Sequence, residues 1–180
     1  MAATLQMNTT KWSINSNQSD VLIKARHSII AYISGSLNKF KGSIDIHDNE
    51  VEDACVEFVL DIKNQESRLK NIDSPVYLNE YLDSNTFPNI TFRSTSFQKI
   101  SANINFLKGN LTVNNITKTV ELDAQLVNIT TQNGIRTAVF EVTGEIKRND
   151  FKLNANAYNH TNGISLGQDI SLIATLEFVI

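Results

Sequence analysis

Imidazole and thiol groups are the side chains of this 180-residue chain best suited to chemistry, and they stand at His27, His47, His160 and Cys55. Imidazole can ligate a metal or move a proton near neutral pH, and a thiolate can attack or ligate. Their spacing assembles neither function. No histidine stands at His-x-x-His or Glu-x-x-His spacing, whereas metal ligands usually cluster in sequence. Cys55 has no local base and no second cysteine to bridge, so it reads as a small core or flank residue. There is no Gly-x-Gly-x-x-Gly fingerprint and no phosphate-binding loop. We therefore expect no metal site, no covalent cofactor and no enzyme.

His27 departs from its surroundings. Val21, Ile23, Ala25, His27, Ile29, Ala31 and Ile33 alternate with Lys24, Arg26, Ser28 and Tyr32, the period of a strand with one apolar face. A buried imidazole costs about 1 to 3 kcal/mol unless it is hydrogen-bonded. Two readings stay open. One is a core histidine satisfied by a carbonyl or hydroxyl; the other is a polar handle in an apolar pocket, since small-molecule sites are mostly apolar with a few placed polar groups.

The elements that must hold such a site are strands from end to end. Ala54, Val56, Phe58, Leu60 and Ile62 oppose Cys55, Glu57, Val59 and Asp61. Residues 64–84 break the alternation: Leu69 and Ile72 sit three apart, and Leu78, Tyr81 and Leu82 follow at helical spacing after Pro75, which predicts one or two short helices. Pro88 cannot donate to a ladder and marks a strand entrance, after which Ile90 and Phe92 alternate with Thr91 and Arg93. Ile100, Ala102, Ile104 and Phe106 form a further apolar face. Leu111 and Val113 lead into Asn114-Asn115, a tight-turn pair, and Asn133-Gly134 is a second. Val120 to Leu126, Ala138 to Val142 and Ile170 to Phe178 complete the pattern.

Eight or so such strands predict an all-β fold, a lipocalin-like antiparallel barrel occupying residues 1–180 as a single domain, with a two-sheet sandwich as the alternative. Closing the sheet removes its exposed edges. At eight strands the interior either fills with side chains or holds one small ligand. The inward candidates are Ile23, Ala25, His27, Ile29, Phe58, Leu60, Leu78, Tyr81, Leu82, Ile90, Phe92, Phe106, Phe140 and Phe178. Periodicity does not separate a plain core from a ligand cavity in this set.

The net charge of -3 argues against nucleic acid, which needs clustered Lys and Arg. Met1 to Thr10 has neither a basic start nor a continuous apolar run, so the chain as it stands is expected to be cytoplasmic, without a membrane span, and periplasmic if a signal was removed. A homodimer stays open.

Ordered motifs span Trp12 to Phe178. Trp12-Ser13-Ile14-Asn15, then His27, Gly35, Phe40 and Gly42, then Leu78 and Tyr81-Leu82-Asp83 come first. Phe87-Pro88-Asn89-Ile90-Thr91-Phe92-Arg93-Ser94, Leu111 to Lys118, Gly144-Glu145-Ile146-Lys147-Arg148-Asn149-Asp150-Phe151 and Gly167 to Ile170 follow. Together they resemble the YceI family of polyisoprenoid-binding proteins, with Asn15 for Asp, Leu37 for Phe, Tyr77 for His, Asn115 for Gly and Ser74-Pro75 for an Arg-Asp pair. The resemblance implies an extended eight-stranded barrel with a helical insertion. It also implies binding of an isoprenoid lipid, such as a polyprenyl chain or an isoprenoid quinone, in an elongated apolar channel. Two other functions remain in view, a quinone-dependent redox enzyme or accessory using His27 and a stress-related structural protein with a filled barrel.

Overall fold

Alternation becomes strand over most of the described chain, the run before Ile104 excepted. The computed structural model describes residues 9–25, 28–34, 41–47, 50–61, 86–153 and 169–180. Among these the strands are β1 (Thr9–Ile14), β2 (Asp20–Ala25), β3 (Ser28–Ser34), β4 (Lys41–His47), β5 (Glu50–Asp61), β6 (Asn89–Lys99), β7 (Ile104–Val113), β8 (Ile116–Gln132), β9 (Ile135–Lys147) and β10 (Asp169–Val179). They form one antiparallel sheet in the order β1-β4-β5-β6-β7-β8-β9-β10-β2-β3, and β1 also pairs with β10. That last pairing closes eight strands, β1 and β4 through β10, into the expected barrel and excludes the sandwich. The helices expected within 64–84 lie outside the described residues.

One edge of β10 serves two partners, which is how the hairpin of β2 and β3 joins the barrel. Near its start β10 takes β2, with Ile170 opposite Ala25, and at its end it takes β1, with Phe178 opposite Ile14. A 3-10 turn at Ser16–Gln18 bridges β1 and β2. Two side chains staple the crossing. The Asn15 amide donates to Glu177 Oε1 at 2.8 Å, and the Glu177 N–H donates to Ser19 Oγ at 3.0 Å.

The single strand expected from Val21 to Ile33 is instead this hairpin. Val21 pairs with Ile33, Ile23 with Ala31, and Ala25 with Ser28. Partners from Asp20 opposite Ser34 to Ile23 opposite Ala31 share parity, so the apolar alternation of β2 continues in β3, and a register shift after Ile23 then sets Ala25 opposite Ser28. Nor does Arg26-His27 carry the Asn-Gly or Asp-Gly signal of a tight turn. His27 itself lies outside the described residues.

Both expected tight turns do form. Asn114 and Asn115 have φ of 52° and 60°, and Asn133 and Gly134 have φ of 54° and 79°. Two consecutive positive φ values match the right-handed twist of the flanking strands, and Asn tolerates this region better than other residues with a Cβ. The Asn114 amide also donates to Phe151 O at 3.2 Å, tying the β7–β8 turn to the 3-10 turn Arg148–Phe151 that follows β9. Phe151 and Leu153 are buried there, at the barrel end opposite the β6–β7 and β8–β9 turns.

The strand that begins after Pro88 contains a bulge. Ser94 pairs with Gly109 and Ser96 with Lys108, leaving Thr95 unmatched. The extra residue changes which parity faces inward, so that both Phe92 and Phe97 are buried although five positions apart. Beyond the last β5–β6 backbone pair toward this bulge, Glu57 with Arg93, Ser94 takes over the ladder: the Val56 N–H donates to Ser94 Oγ at 2.7 Å.

Candidate ligand channel

Inward residues of the barrel strands, joined by Val21 and Ile23 of β2, line a cavity of about 130 Å³. Its wall reaches from Phe97, Leu107 and Phe178 near one end to Leu60, Ile90 and Leu111 toward the other, and Thr143 is its one polar lining residue among those described. Near the β8–β9 turn Phe140 stands between two rings. Its centroid is 6.5 Å from that of Trp12, tilted by 39°, and 6.0 Å from that of Phe178 in an edge-on contact at 78°. The edge-on contact with Phe178 places one ring's positive edge against the other's electron-rich face.

Of the candidates read from the sequence, Ile23, Phe58, Leu60, Ile90, Phe92, Phe140 and Phe178 line this cavity. Ala25 and Ile29 fall in β2 and β3. His27, Leu78, Tyr81 and Leu82 lie outside the described residues. Phe106 is a correction. It faces an open outer groove of about 860 Å³, beside Lys108, Glu121 and Asp123. The inward residues of β7 are Asn105, Leu107, Gly109, Leu111 and Val113, and turning Phe106 inward would carry Lys108 and Asn110 with it. The run through Ile100, Ala102 and Ile104 belongs largely to the turn before β7, where Ile100 is 64% exposed. Sequence reasoning missed Phe97 and Leu107 as lining residues. The odd parity of Leu107, Leu111 and Val113 was the available signal for the second, and the bulge hid the first.

Polar chemistry lies off the lumen. Arg148 is only 6% exposed and its Nε has no hydrogen-bond partner among the described residues; the Oδ1 of Asn114, on the turn tied to Phe151, is likewise buried and unpartnered among them. In the outer groove Lys147 pairs with Asp169, and that hydrogen bond, helped by the carboxylate's charge, raises the lysine pKa above its ordinary value. Among the described residues no three of His, Cys, Asp and Glu come together, and no helix is long and apolar enough to cross a membrane. Gly163-Ile164-Ser165-Leu166-Gly167 spells the Gly-x-Ser-x-Gly of a nucleophile elbow and lies outside the described residues. An elbow needs a strand before its serine and a helix after it, whereas the next described element here is strand β10.

Comparison with known proteins agrees with this geometry. A family model described as a YceI-like domain matches residues 12–178. A UPF0312 protein of Yersinia enterocolitica is 28% identical over 158 residues, covering 87% of this chain and 78% of its own. Protein YceI of Salmonella newport is 27% identical over 160 residues, covering 88% and 80%. Among solved structures, BcnA of Burkholderia cenocepacia superposes with a TM-score of 0.67 at 16% identity over 91% of this chain and 98% of its own. A polyisoprenoid binding domain from Saccharophagus degradans, implicated in plant cell wall breakdown, gives 0.55 at 13% identity over 93% and 97%. At such identities the last two speak for the fold.

Proposed function

The chain belongs to the YceI-like family, and from that premise we propose that its barrel binds the chain of an isoprenoid lipid, a polyprenyl chain or an isoprenoid quinone, and carries it without turning it over. The observation that supports this reading is the lengthwise lumen walled by aliphatic and aromatic side chains. Each methylene moved from water into such a wall contributes roughly 0.8 kcal/mol, so affinity grows with chain length and needs little from a head group. A carrier rather than an enzyme is favoured by the wall's chemistry: Thr143 is a poor proton donor or acceptor near neutral pH, and no titratable group joins it among the described lining residues.

The same volume supports a second reading. A cavity near 130 Å³ is comparable to an engineered cavity of about 150 Å³ that holds one benzene, so a long chain must displace side chains to enter. A filled barrel with a structural role needs no such displacement. Native mass spectrometry after gentle purification from a quinone-rich host separates the two. Lipid binding yields a co-purifying mass of several hundred daltons. A bare 20.1 kDa species counts against it. Quinone turnover that depends on His27 would instead favour the redox reading.

A further inference from the structure

Three strand positions whose alternation points inward carry glycine, and at each a large side chain of the neighbouring strand crowds the space a Cβ would fill, with the Glu57 carbonyl as near as the ring at Gly42. At Gly42 a Cβ would sit 3.3 Å from Phe58 Cδ2; at Gly109 it would sit 2.5 Å from Phe92 Cζ; at Gly144 it would overlap Leu122 Cδ2. Each of these three side chains lines the cavity, so each lies between its glycine and the lumen. The directions matter. Phe58 and Phe92 stand directly opposite one another on β5 and β6, yet Phe58 leans away toward β4 and Phe92 toward β7. Two facing rings are thereby splayed in opposite directions around the barrel wall. Leu122 leans toward β9, and on its other side stands the buried Leu107, its register partner on β7.

We propose that Gly42, Gly109 and Gly144 set the bore of the channel by letting Phe58, Phe92 and Leu122 lie against the wall, and that this bore, once the chain displaces the side chains in its path, takes one slender prenyl chain and rejects a fused-ring lipid. The proposal rests on the lipid-binding reading above and adds to it the residues that choose the ligand's cross-section. Glycine in a strand interior weakens it, because it costs backbone entropy and packs no side chain. A ring laid over the glycine recovers part of that loss, and here it also opens the lumen. With a Cβ in place, Leu122 cannot turn toward β7, which Leu107 occupies, so its remaining staggered positions project into the lumen.

Gly144→Ala is the cleanest perturbation because the nearest atom is the far end of a flexible side chain, with the Glu121 carbonyl next at 3.3 Å. At Gly109 the Arg93 carbonyl is as close as the ring, at 2.5 Å, so a change there distorts the strand pair as well. The probes are geranylgeraniol, a twenty-carbon prenyl alcohol, and cholesterol, titrated by tryptophan fluorescence into wild type, Gly144→Ala, Leu122→Ala and the double variant. Wild type binds geranylgeraniol and not cholesterol. Gly144→Ala weakens geranylgeraniol about tenfold or more, the loss of roughly two buried methylene groups. The double variant recovers wild-type binding, because the new methyl occupies what Leu122 vacates, and Leu122→Ala alone gains measurable affinity for cholesterol. Wild type that binds neither probe overturns the lipid-binding reading itself. Wild type that binds geranylgeraniol while Gly144→Ala binds it equally well, or a double variant that stays as weak as Gly144→Ala, overturns the bore alone. If Gly144→Ala does not fold, Leu122→Ala decides: no gain for cholesterol overturns the proposal.

Discussion

Phe140→Ala tests whether the aromatic cluster at one end of the barrel is both a packing element and the boundary of the lumen. The ring is 4% exposed and contacts Trp12 and Phe178 at centroid distances of 6.5 and 6.0 Å. Two costs combine on truncation. Moving the ring out of its apolar surroundings forfeits about 2 to 3 kcal/mol of transfer free energy. The void left behind, up to ~100 Å³ at about 24 cal/mol per Å³, adds about 2 kcal/mol where neighbours do not collapse. A total near 4 kcal/mol is about 10 °C in Tm for a chain of this size, taking about 2 to 4 °C per kcal/mol. The variant stays folded if the wild type has ordinary domain stability of about 5 to 15 kcal/mol. The void also adjoins the cavity, since Phe140 lines it, so the lumen gains room where the wild type has about 130 Å³. Urea denaturation and thermal melts, each with and without geranylgeraniol, measure both effects. The lipid should recover a larger part of Tm in the variant than it adds to the wild type, because a ligand bound only by the folded state stabilises by mass action. A loss under about 1 kcal/mol would falsify the packing argument, since transfer alone exceeds it. A full loss with no extra response to lipid would leave the packing intact and refute the placement of the ring at the lumen wall.

Two polar staples carry further tests. Asn15→Asp replaces a donated 2.8 Å hydrogen bond to Glu177 with a second carboxylate, and like charges disfavour ionisation, so the pair's folded pKa rises above its unfolded value. The resulting destabilisation, about 1 to 2 kcal/mol at neutral pH, should shrink as pH falls through the carboxylate range and one group takes a proton. Urea midpoints at pH 7 and pH 4 check it, and a deficit of the same size at both refutes it. Ser94→Ala removes the acceptor that the Val56 N–H finds at 2.7 Å, which should cost about 1 to 2 kcal/mol and speed hydrogen exchange at that amide. Unchanged protection at Val56 would mean that water or a shifted carbonyl serves equally well.

Most strands and both tight turns were legible because each has a local cause, and barrel closure because so long a sheet would otherwise expose its edges. Period-two alternation marks a half-buried strand, and Asn114-Asn115 and Asn133-Gly134 supply the left-handed residues that short hairpins require. The hairpin at residues 20–34 was not legible, because most of its partners share parity and Arg26-His27 between its strands carries no turn signal in the sequence. Phe106 and Phe97 failed for a related reason. Alternation says which residues share a face, and it leaves open which face is inside. The inward choice in β7 follows from the whole strand: Leu107, Leu111 and Val113 together outweigh one phenylalanine whose face also holds Lys108. Asn15 shows the opposite case. It departs from the acid that the resembling family carries, and the Glu177 carboxylate opposite gives that departure a physical reason that only the register of β1 against β10 exposes.

The volume of the lumen is the property that function needs most, and no one-dimensional pattern contains it. Phe58 and Phe92 have the same apolar signature whether they stack across the barrel axis or splay toward opposite walls. The difference lies in residues with no side chain. Gly42 and Gly109 stand beside these rings on β4 and β7, distant from them in sequence, and the pairings that bring them together come from strand order. A substitution adding one methyl at such a position changes little in hydropathy, yet it meets a ring or an isobutyl group that lines the lumen. Selection acting on the ligand's cross-section would therefore fall on these glycines as strongly as on the aromatic residues they accommodate. In this barrel the glycines of the Phe40-Lys41-Gly42 and Gly144 to Phe151 motifs lie beneath the side chains that lean over them, and those side chains define the space within.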